Sequence, residues 1–310
     1  MFLYVLKRIL LTIPILFAVV FLVFTIMYFT PGDPARTMLG VEATPEAIEA
    51  LRHKLGVDQP FFPRFMSYIT NIVTKFDFGV SYRTMQPVAQ ELLVRFPTTL
   101  QLAVTSIVVS ATFGVSIGVL AAIRQYSKLD ISLTVLALFF AAIPGFWLAL
   151  MLILIFAVRL GWLPTSGFGT WKHMILPTIT LSIGGIAGIM RITRSAMLET
   201  IRQDYIRTAR AKGVVEKVVI WRHAIRNALM PVITVLGLEF AGLLGGAIIA
   251  ETIFNVPGVG AYVVAGIREK NAPVVLSSTI LLASTFCLIV LILDIIYALI
   301  DPRVKARFIK

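Results

Sequence analysis

Three carboxylates stand inside long apolar runs of this 310-residue chain: Glu239, Glu251 and Asp294. A charge held in hydrocarbon is costly, so such a group faces a cavity or a partner. Glu251 falls near one end of its run, and Asp294 about two helical turns from the end of its own, so both are read as lying near water. Glu239 is deeper. Two readings of it stand level: a group that faces a cavity and meets a cation there, or a structural pair with an arginine of a neighbouring helix. The other chemistry-bearing residues form no constellation. His53, His173 and His223 are far apart and lack metal-ligand spacing. The single cysteine, Cys287, allows no intrachain disulfide or cysteine cluster and is read as packing. No G-x-x-x-x-G-K-[ST] motif occurs, so the chain has no P-loop to cradle the phosphates of ATP.

The elements that position these groups follow from composition. Apolar residues make up 58% of the chain and charged residues 14%, against about half and a quarter in ordinary soluble domains. That much apolar side chain excludes a water-soluble globule and a disordered chain alike. Six runs are long enough to cross the hydrocarbon as helices: Ile9–Phe29, Leu100–Ile123, Ile131–Val158, Ile175–Met190, Pro231–Ile253 and Ser278–Ile300. The ~10-residue alternating segments of a membrane β-barrel are absent. The first run is too long for a signal-peptide core and lacks an A-x-A-like cleavage site, so it is read as a retained anchor. Pro144 is expected to kink the third run, with a gating hinge as the less favoured alternative. Trp162 and Trp171 fit an external aromatic belt.

Charge sets the orientation. The net charge is +12. One side of the membrane receives 17 Lys and Arg and the other 11, of which seven lie in the long 31–97 segment. Long loops are poorly steered by charge, and without that segment the contrast is 17 to 4. The positive-inside rule puts both termini and the 191–230 loop in the cytoplasm, which accounts for the basic excess beside anionic lipid and removes the nucleic-acid reading.

In the external segment, Thr44-Pro45-Glu46 reads as a helix start, Ile48, Leu51 and Leu55 follow at helical spacing, and Gly56 closes the helix. A second apolar stripe runs through Phe62, Phe65, Ile69, Ile72 and Phe76. These short helices either lie on the membrane surface or pack on neighbouring spans. In the 191–230 loop, Ser195–Lys212 has helical periodicity with Leu198, Ile201, Tyr205 and Ala209 on one face, ended by Gly213. A second helix through Val218, Trp221, Ile225 and Leu229 is expected to end before Pro231. The small-residue elbow Thr208–Gly213 suits close approach by a partner or a plain solvated loop, and spacing does not choose between them. Glycine pairs Gly114/Gly118, Gly184/Gly188 and Gly242/Gly246 read as close helix packing.

Several segments in order carry a resemblance. They are Met27–Pro34, Leu55–Pro60, Phe78–Ser81, Thr193–Glu199, Asp204–Gly213, Arg222–Pro231, Glu251–Gly260 and Asp301-Pro302-Arg303. Together they resemble the permease subunits of bacterial ABC importers of the dipeptide, oligopeptide and nickel group, in particular the subunit with the longer N-terminal external loop. The resemblance implies an all-α integral membrane protein with six transmembrane helices and the type I ABC-importer permease fold. Its divisions are 1–30 (N-terminal end and first span), 31–97 (external loop) and 98–310 (five-helix core with coupling loop 191–230). It implies that Asp204, Tyr205, Arg207, Thr208, Ala209, Arg210, Ala211, Lys212 and Gly213 enter a groove on an ATPase subunit. The general pattern there is Glu-Ala-Ala, three residues, then Gly. Arg207 and Thr208 replace the Glu and first Ala, while Ala209 and Gly213 match. Glu239 and Pro144 are the pathway candidates, and the family more often carries Gln where Glu239 stands.

The implied partners are a second, homologous permease in a heterodimer, two ATPase subunits that bind ATP and Mg, an external substrate-binding protein and membrane lipid. The chain itself is expected to hold no cofactor or metal and to catalyse no reaction. It is placed in the bacterial cytoplasmic membrane. The implied substrate class is peptides, with nickel chelates or glutathione as alternatives on the same machinery. An ion-gradient secondary transporter would carry internal repeats and discontinuous helices, and no clear repeat is present. A membrane enzyme would cluster polar residues at one interface, and no such cluster is seen.

Overall fold

The structure, a computed structural model, describes residues 2–40 and 43–300; the Asp301-Pro302-Arg303 motif and the basic tail lie outside the described residues. In chain order the helices are α1 (Phe2–Phe29), α2 (Pro34–Leu39), α3 (Pro45–Leu55), α4 (Phe61–Lys75) and α5 (Val88–Ile123). Then come α6 (Lys128–Ala142), α7 (Gly145–Leu152), α8 (Trp171–Ile201), α9 (Asp204–Ala211) and α10 (Glu216–Val218). The series closes with α11 (Ile225–Ile253), α12 (Val259–Arg268) and α13 (Ala272–Ile300). Wider π turns extend α7 over Ile153–Arg159 and precede α11 over Val219–Ala224. Among the described residues five helices are long and apolar enough to cross a membrane, and six spans result if α6 and the α7 segment count as one.

The third expected span is not a single kinked helix. Its halves meet at 95° across Ile143 and Pro144. Pro144 offers no amide hydrogen and forces the residue before it out of the helical region, and Ile143 is extended at φ −74°, ψ 125°. Two other boundaries also moved. α5 starts at Val88, well before the apolar run at Leu100, because its first turns are polar on one side. α11 passes through Pro231 without ending.

The helices group into two compact units. The first comprises residues 1–99 and 257–310, so the last helices group with the N-terminal segment rather than with the core residues that precede them. In it Phe24 of α1 is buried among Phe61 and Phe65 of α4, with ring centroids 5.4 and 5.1 Å away. The expected α4 stripe splits in two. Phe65 is buried with Phe61, Tyr68 and Ile69 against α1, whereas Phe62, Met66, Val73 and Phe76 are bare. Thr44 Oγ1 accepts the Ala47 amide at 3.3 Å, and Gly56 closes α3 at φ 63°, as the sequence indicates. A second core joins Val88 and Leu92 to Val259, Tyr262 and Val274, and the Thr99 hydroxyl accepts the Val259 amide at 2.8 Å.

The second unit comprises residues 100–256. Its frame is α8 packed along α11, with α5, α6 and α7 also against α8 or α11. Gly114 and Gly118 make the α5–α8 approach. A Cβ at Gly114 would stand 2.8 Å from Ile189 Cβ, and one at Gly118 2.6 Å from the Met190 carbonyl oxygen. That pair is intrachain packing, whereas Gly184 and Gly242 face open space.

Candidate functional site

The 191–230 segment begins as the end of α8. The single helix expected over Ser195–Lys212 is broken at Arg202 and Gln203, and Asp204 opens the separate, eight-residue α9. One side chain the periodicity missed holds α9 in place. Ile206 is fully buried among Val119, Ala122, Ala196, Met197, Val219, Ile220, Ala224 and Ala228, with Ala209 and Val214 at the edge of the cluster. Tyr205, which the stripe placed inward, is exposed instead.

α9 ends in a Schellman turn. The Gly213 amide donates to the Arg210 carbonyl at 2.9 Å and the Val214 amide to the Ala209 carbonyl at 3.3 Å. Gly213 sits at φ 76°, in the left-handed region that glycine occupies without strain, and nothing lies within 4 Å of where its Cβ would be. Arg210 Nε and Nη2 donate to the Glu216 carboxylate at 3.0 and 2.6 Å, clamping the turn. That hydrogen bonding, opposed by partial burial, holds the Glu216 carboxyl below its usual range. Thr208 Oγ1 donates to the Asp204 carbonyl at 2.9 Å, and Arg207 lies 3.7 Å from the Asp204 carboxylate.

The second helical pattern was read in the wrong phase. Val218 and Trp221 are exposed, and Val219, Ile220, Ala224 and Ala228 are buried. The π turn over Val219–Ala224 explains the shift: its i→i+5 closure brings Val219 and Ala224, five residues apart, to the same buried side, and Ala228 follows one α-helical turn later. The result is that α9 and the segment after it, as far as the π turn, present Tyr205, Arg207, Thr208, Ala211, Lys212, Val215 and Trp221 to the outside.

A buried ion pair that the sequence reading did not single out anchors this region. Asp130, at the start of α6, accepts Arg194 Nε at 2.7 Å on Oδ1 and Nη2 at 2.7 Å on Oδ2. Oδ2 also accepts the Tyr126 amide at 3.0 Å, and Ser127 Oγ caps the Asp130 amide at 3.2 Å. The available signal was an acid three residues after a serine, at the mouth of an apolar run, opposite an arginine-bearing helix.

The carboxylates in the apolar runs differ in surroundings. Glu239 on α11 is half-buried against Gly185 and Gly188 of α8, its oxygens 3.9 and 3.6 Å from where their Cβ atoms would be. Among the described residues it forms no ion pair. One expectation of proximity to water is corrected: Glu251 is fully buried, whereas Asp294 is partly exposed and paired with Arg8 of α1 at 2.7 Å. Pro144 caps α7 beside a cavity of about 340 Å³ lined by Phe140, Gly145, Thr180 and Gly184. Neither Pro144 nor Glu239 lines that cavity. Among the described residues no group of His, Cys, Asp and Glu could hold a metal.

An all-helical multi-pass chain with a short basic helix set on its core is the architecture of an ABC-importer permease. The solved inward-facing MetNI methionine ABC transporter matches it with TM-score 0.59 over 69% of this chain and 97% of that one, at 21% identity. An amino acid ABC transporter with histidines matches at TM-score 0.52 and 15% identity, covering 69% of this chain and 94% of that one. The family of binding-protein-dependent transport system inner membrane components matches residues 114–306, and the corresponding N-terminal family residues 1–103. The glutathione transport system permease protein GsiC of Escherichia coli K12 is 43% identical over 307 residues, 98% of this chain and 99% of that one. The GsiC of Shigella flexneri serotype 5b matches to the same extent. The chain belongs to this family: it is a multi-pass inner-membrane permease subunit of an ABC importer.

Proposed function

We propose that the permease carries small peptides, glutathione among them, in a heterodimer with a second homologous permease. The observation that carries this reading is the end-to-end 43% identity with the glutathione permease. Cargo is delivered by an external binding protein, and two ATPase subunits supply ATP and Mg. The basic asymmetry of the loops supports a cytoplasmic position for both termini and α9. There α9, with Asp204, Tyr205, Arg207, Thr208, Ala209, Arg210, Ala211, Lys212 and Gly213, seats on an ATPase subunit. ATP closes the ATPase pair, and α9 carries the movement to the spans. ATP shifts the inward–outward balance only to the extent that it favours one state.

Glu239 lines the pathway and meets the ammonium group of the peptide. Its support is a half-buried carboxylate with no counter-charge among the described residues of its own chain, set against a glycine wall. The chelated-nickel alternative gains nothing from this chain.

The test uses the whole complex in proteoliposomes. Glutathione and dipeptide uptake should require ATP and survive collapse of a proton gradient, and the reverse dependence overturns the reading. Replacing Ala209 by Trp should abolish uptake with the complex inserted; normal uptake and ATPase coupling would remove α9 from the coupling role. Glu239→Gln should weaken uptake of free-amine peptides more than of N-acetylated ones. An equal effect on both sinks the pathway role of Glu239.

A further inference from the structure

The first unit contains a polar cavity of about 370 Å³ with an unusual charge balance. Lys54 and Arg64 both line it, and no aspartate or glutamate does. Among the described residues neither cation forms an ion pair. The nearest acid on α3's flank, Asp58, is taken up by His53 Nδ1 at 2.6 Å. Gln59 and Asn71 supply further hydrogen-bonding groups to the wall, and the Tyr82 hydroxyl is hydrogen-bonded to Arg64. Two unneutralised cations with neutral donors around them recruit an anion with several acceptor oxygens.

The depth of the cavity narrows the anion. The Arg64 guanidinium lies over the rings of Phe24 and Tyr28, 5.9 and 6.0 Å from their centroids. Those rings are on the last turns of α1, where its apolar run ends at Phe29. α1 is bare of protein over most of its length, with Ile13, Leu22 and Ile26 exposed. On α4 itself, the exposed stripe of Phe62, Met66 and Val73 continues that lipid-facing surface, while Arg64 and Asn71 occupy another face. An amphipathic helix of this kind rests at the boundary between hydrocarbon and headgroups, and an arginine at the end of a span reaches for the same level. We propose that the cavity holds the phosphate of an anionic phospholipid headgroup, with Arg64 and Lys54 as its charge partners, so that the bound lipid seats α4 on the bilayer.

The experiment takes the intact transporter complex, reconstituted in phosphatidylcholine bilayers with a minority of phosphatidylglycerol, re-extracts it, and measures the lipids that remain bound by mass spectrometry. Wild-type complex should retain phosphatidylglycerol over phosphatidylcholine roughly ten-fold beyond the bulk ratio. Arg64→Gln/Lys54→Gln should lose that preference, and Arg64→Lys should keep most of it. Absence of any preference in the wild type overturns the proposal whether or not the variants fold. Equal preference in wild type and double variant overturns it too. Displacement of the lipid by millimolar inorganic phosphate would keep the phosphate chemistry but overturn the headgroup as its source. Retention unaffected by phosphate supports the headgroup.

Discussion

Truncating Ile206 tests how α9 works. This side chain is fully buried in the cluster beneath α9, while its helical neighbours Tyr205 and Arg207 are exposed. With eight residues, α9 is far below the length at which a helix persists alone in water. Its structure is therefore borrowed from docking. Ile→Ala at a core position costs about 2–5 kcal/mol. Taken wholly from docking, even the low end lowers the docked-to-undocked ratio by roughly thirty-fold. The Arg210–Glu216 clamp is half-exposed and worth only about 0–1 kcal/mol, so it cannot make up the loss. Ile206→Ala should leave the complex inserted, since no span is touched. It should speed hydrogen exchange at the amides of 205–211 by at least about ten-fold and lower the peptide transported per ATP hydrolysed in proteoliposomes. Ile206→Val, which keeps most of the buried volume, should restore both. If Ile206→Ala keeps wild-type protection and wild-type coupling, α9 is not held by its buried side chain and the reasoning fails.

Three further outcomes follow from the geometry. Arg194→Gln leaves the buried Asp130 carboxylate without its partner and should destabilise by about 3–5 kcal/mol, read as a lower inactivation temperature in detergent; Asp130→Asn, which strands the partly exposed Arg194, should cost less, and the double variant should recover part of the loss. Gly118→Ala should force α5 from α8, because its Cβ would meet the Met190 carbonyl oxygen at 2.6 Å, at a cost of about 1–3 kcal/mol. Gly242→Ala has open space and should be tolerated by the isolated chain, so a loss seen only on assembly would mark a contact with another subunit. Burial pushes the Asp33 carboxyl up, but its hydrogen bonds from Arg52 and from the Ala35 amide outweigh this and hold it below its ordinary 3.8. The α2–α3 contact should thus be fully stabilised above the ordinary carboxylate range and weaken as pH falls through the lowered value; Arg52→Gln should move that loss, read by limited proteolysis, to higher pH.

Long apolar runs, caps and glycines were legible in the sequence because each depends on neighbours in the chain. α3 is bounded by Thr44 and Gly56 as its residues dictate, and the Gly114/Gly118 pair lies in a helix seam. Phase was less legible. The periodicity placed Tyr205 and Trp221 inward, but a break at Arg202–Gln203 and a π turn at Val219–Ala224 rotated the faces. Neither irregularity has a proline or glycine to announce it. The surroundings of Asp294 and Asp130 were set by partners far along the chain, Arg8 and Arg194, which linear spacing does not reveal.

The coupling role proposed for α9 requires stiffness, and the second unit supplies it at successive points. Ile206 and the Gly213 turn fix α9 to the base of α8 and α11. A buried bidentate arginine–aspartate pair then ties α8 to the first turn of α6, where the Ser127 cap and the Tyr126 amide leave Asp130 little freedom. α6 ends at the 95° break at Pro144, where the helical hydrogen-bond ladder is interrupted and a cavity of about 340 Å³ leaves room for side chains to move. Displacement applied at α9 is passed on by the packed parts and absorbed where the ladder is broken, because packed cores resist deformation and an interrupted helix does not. If α9 couples as proposed, the compliance of the unit is expected at Ile143-Pro144, with the segment from α9 through α8 to the start of α6 moving as one piece.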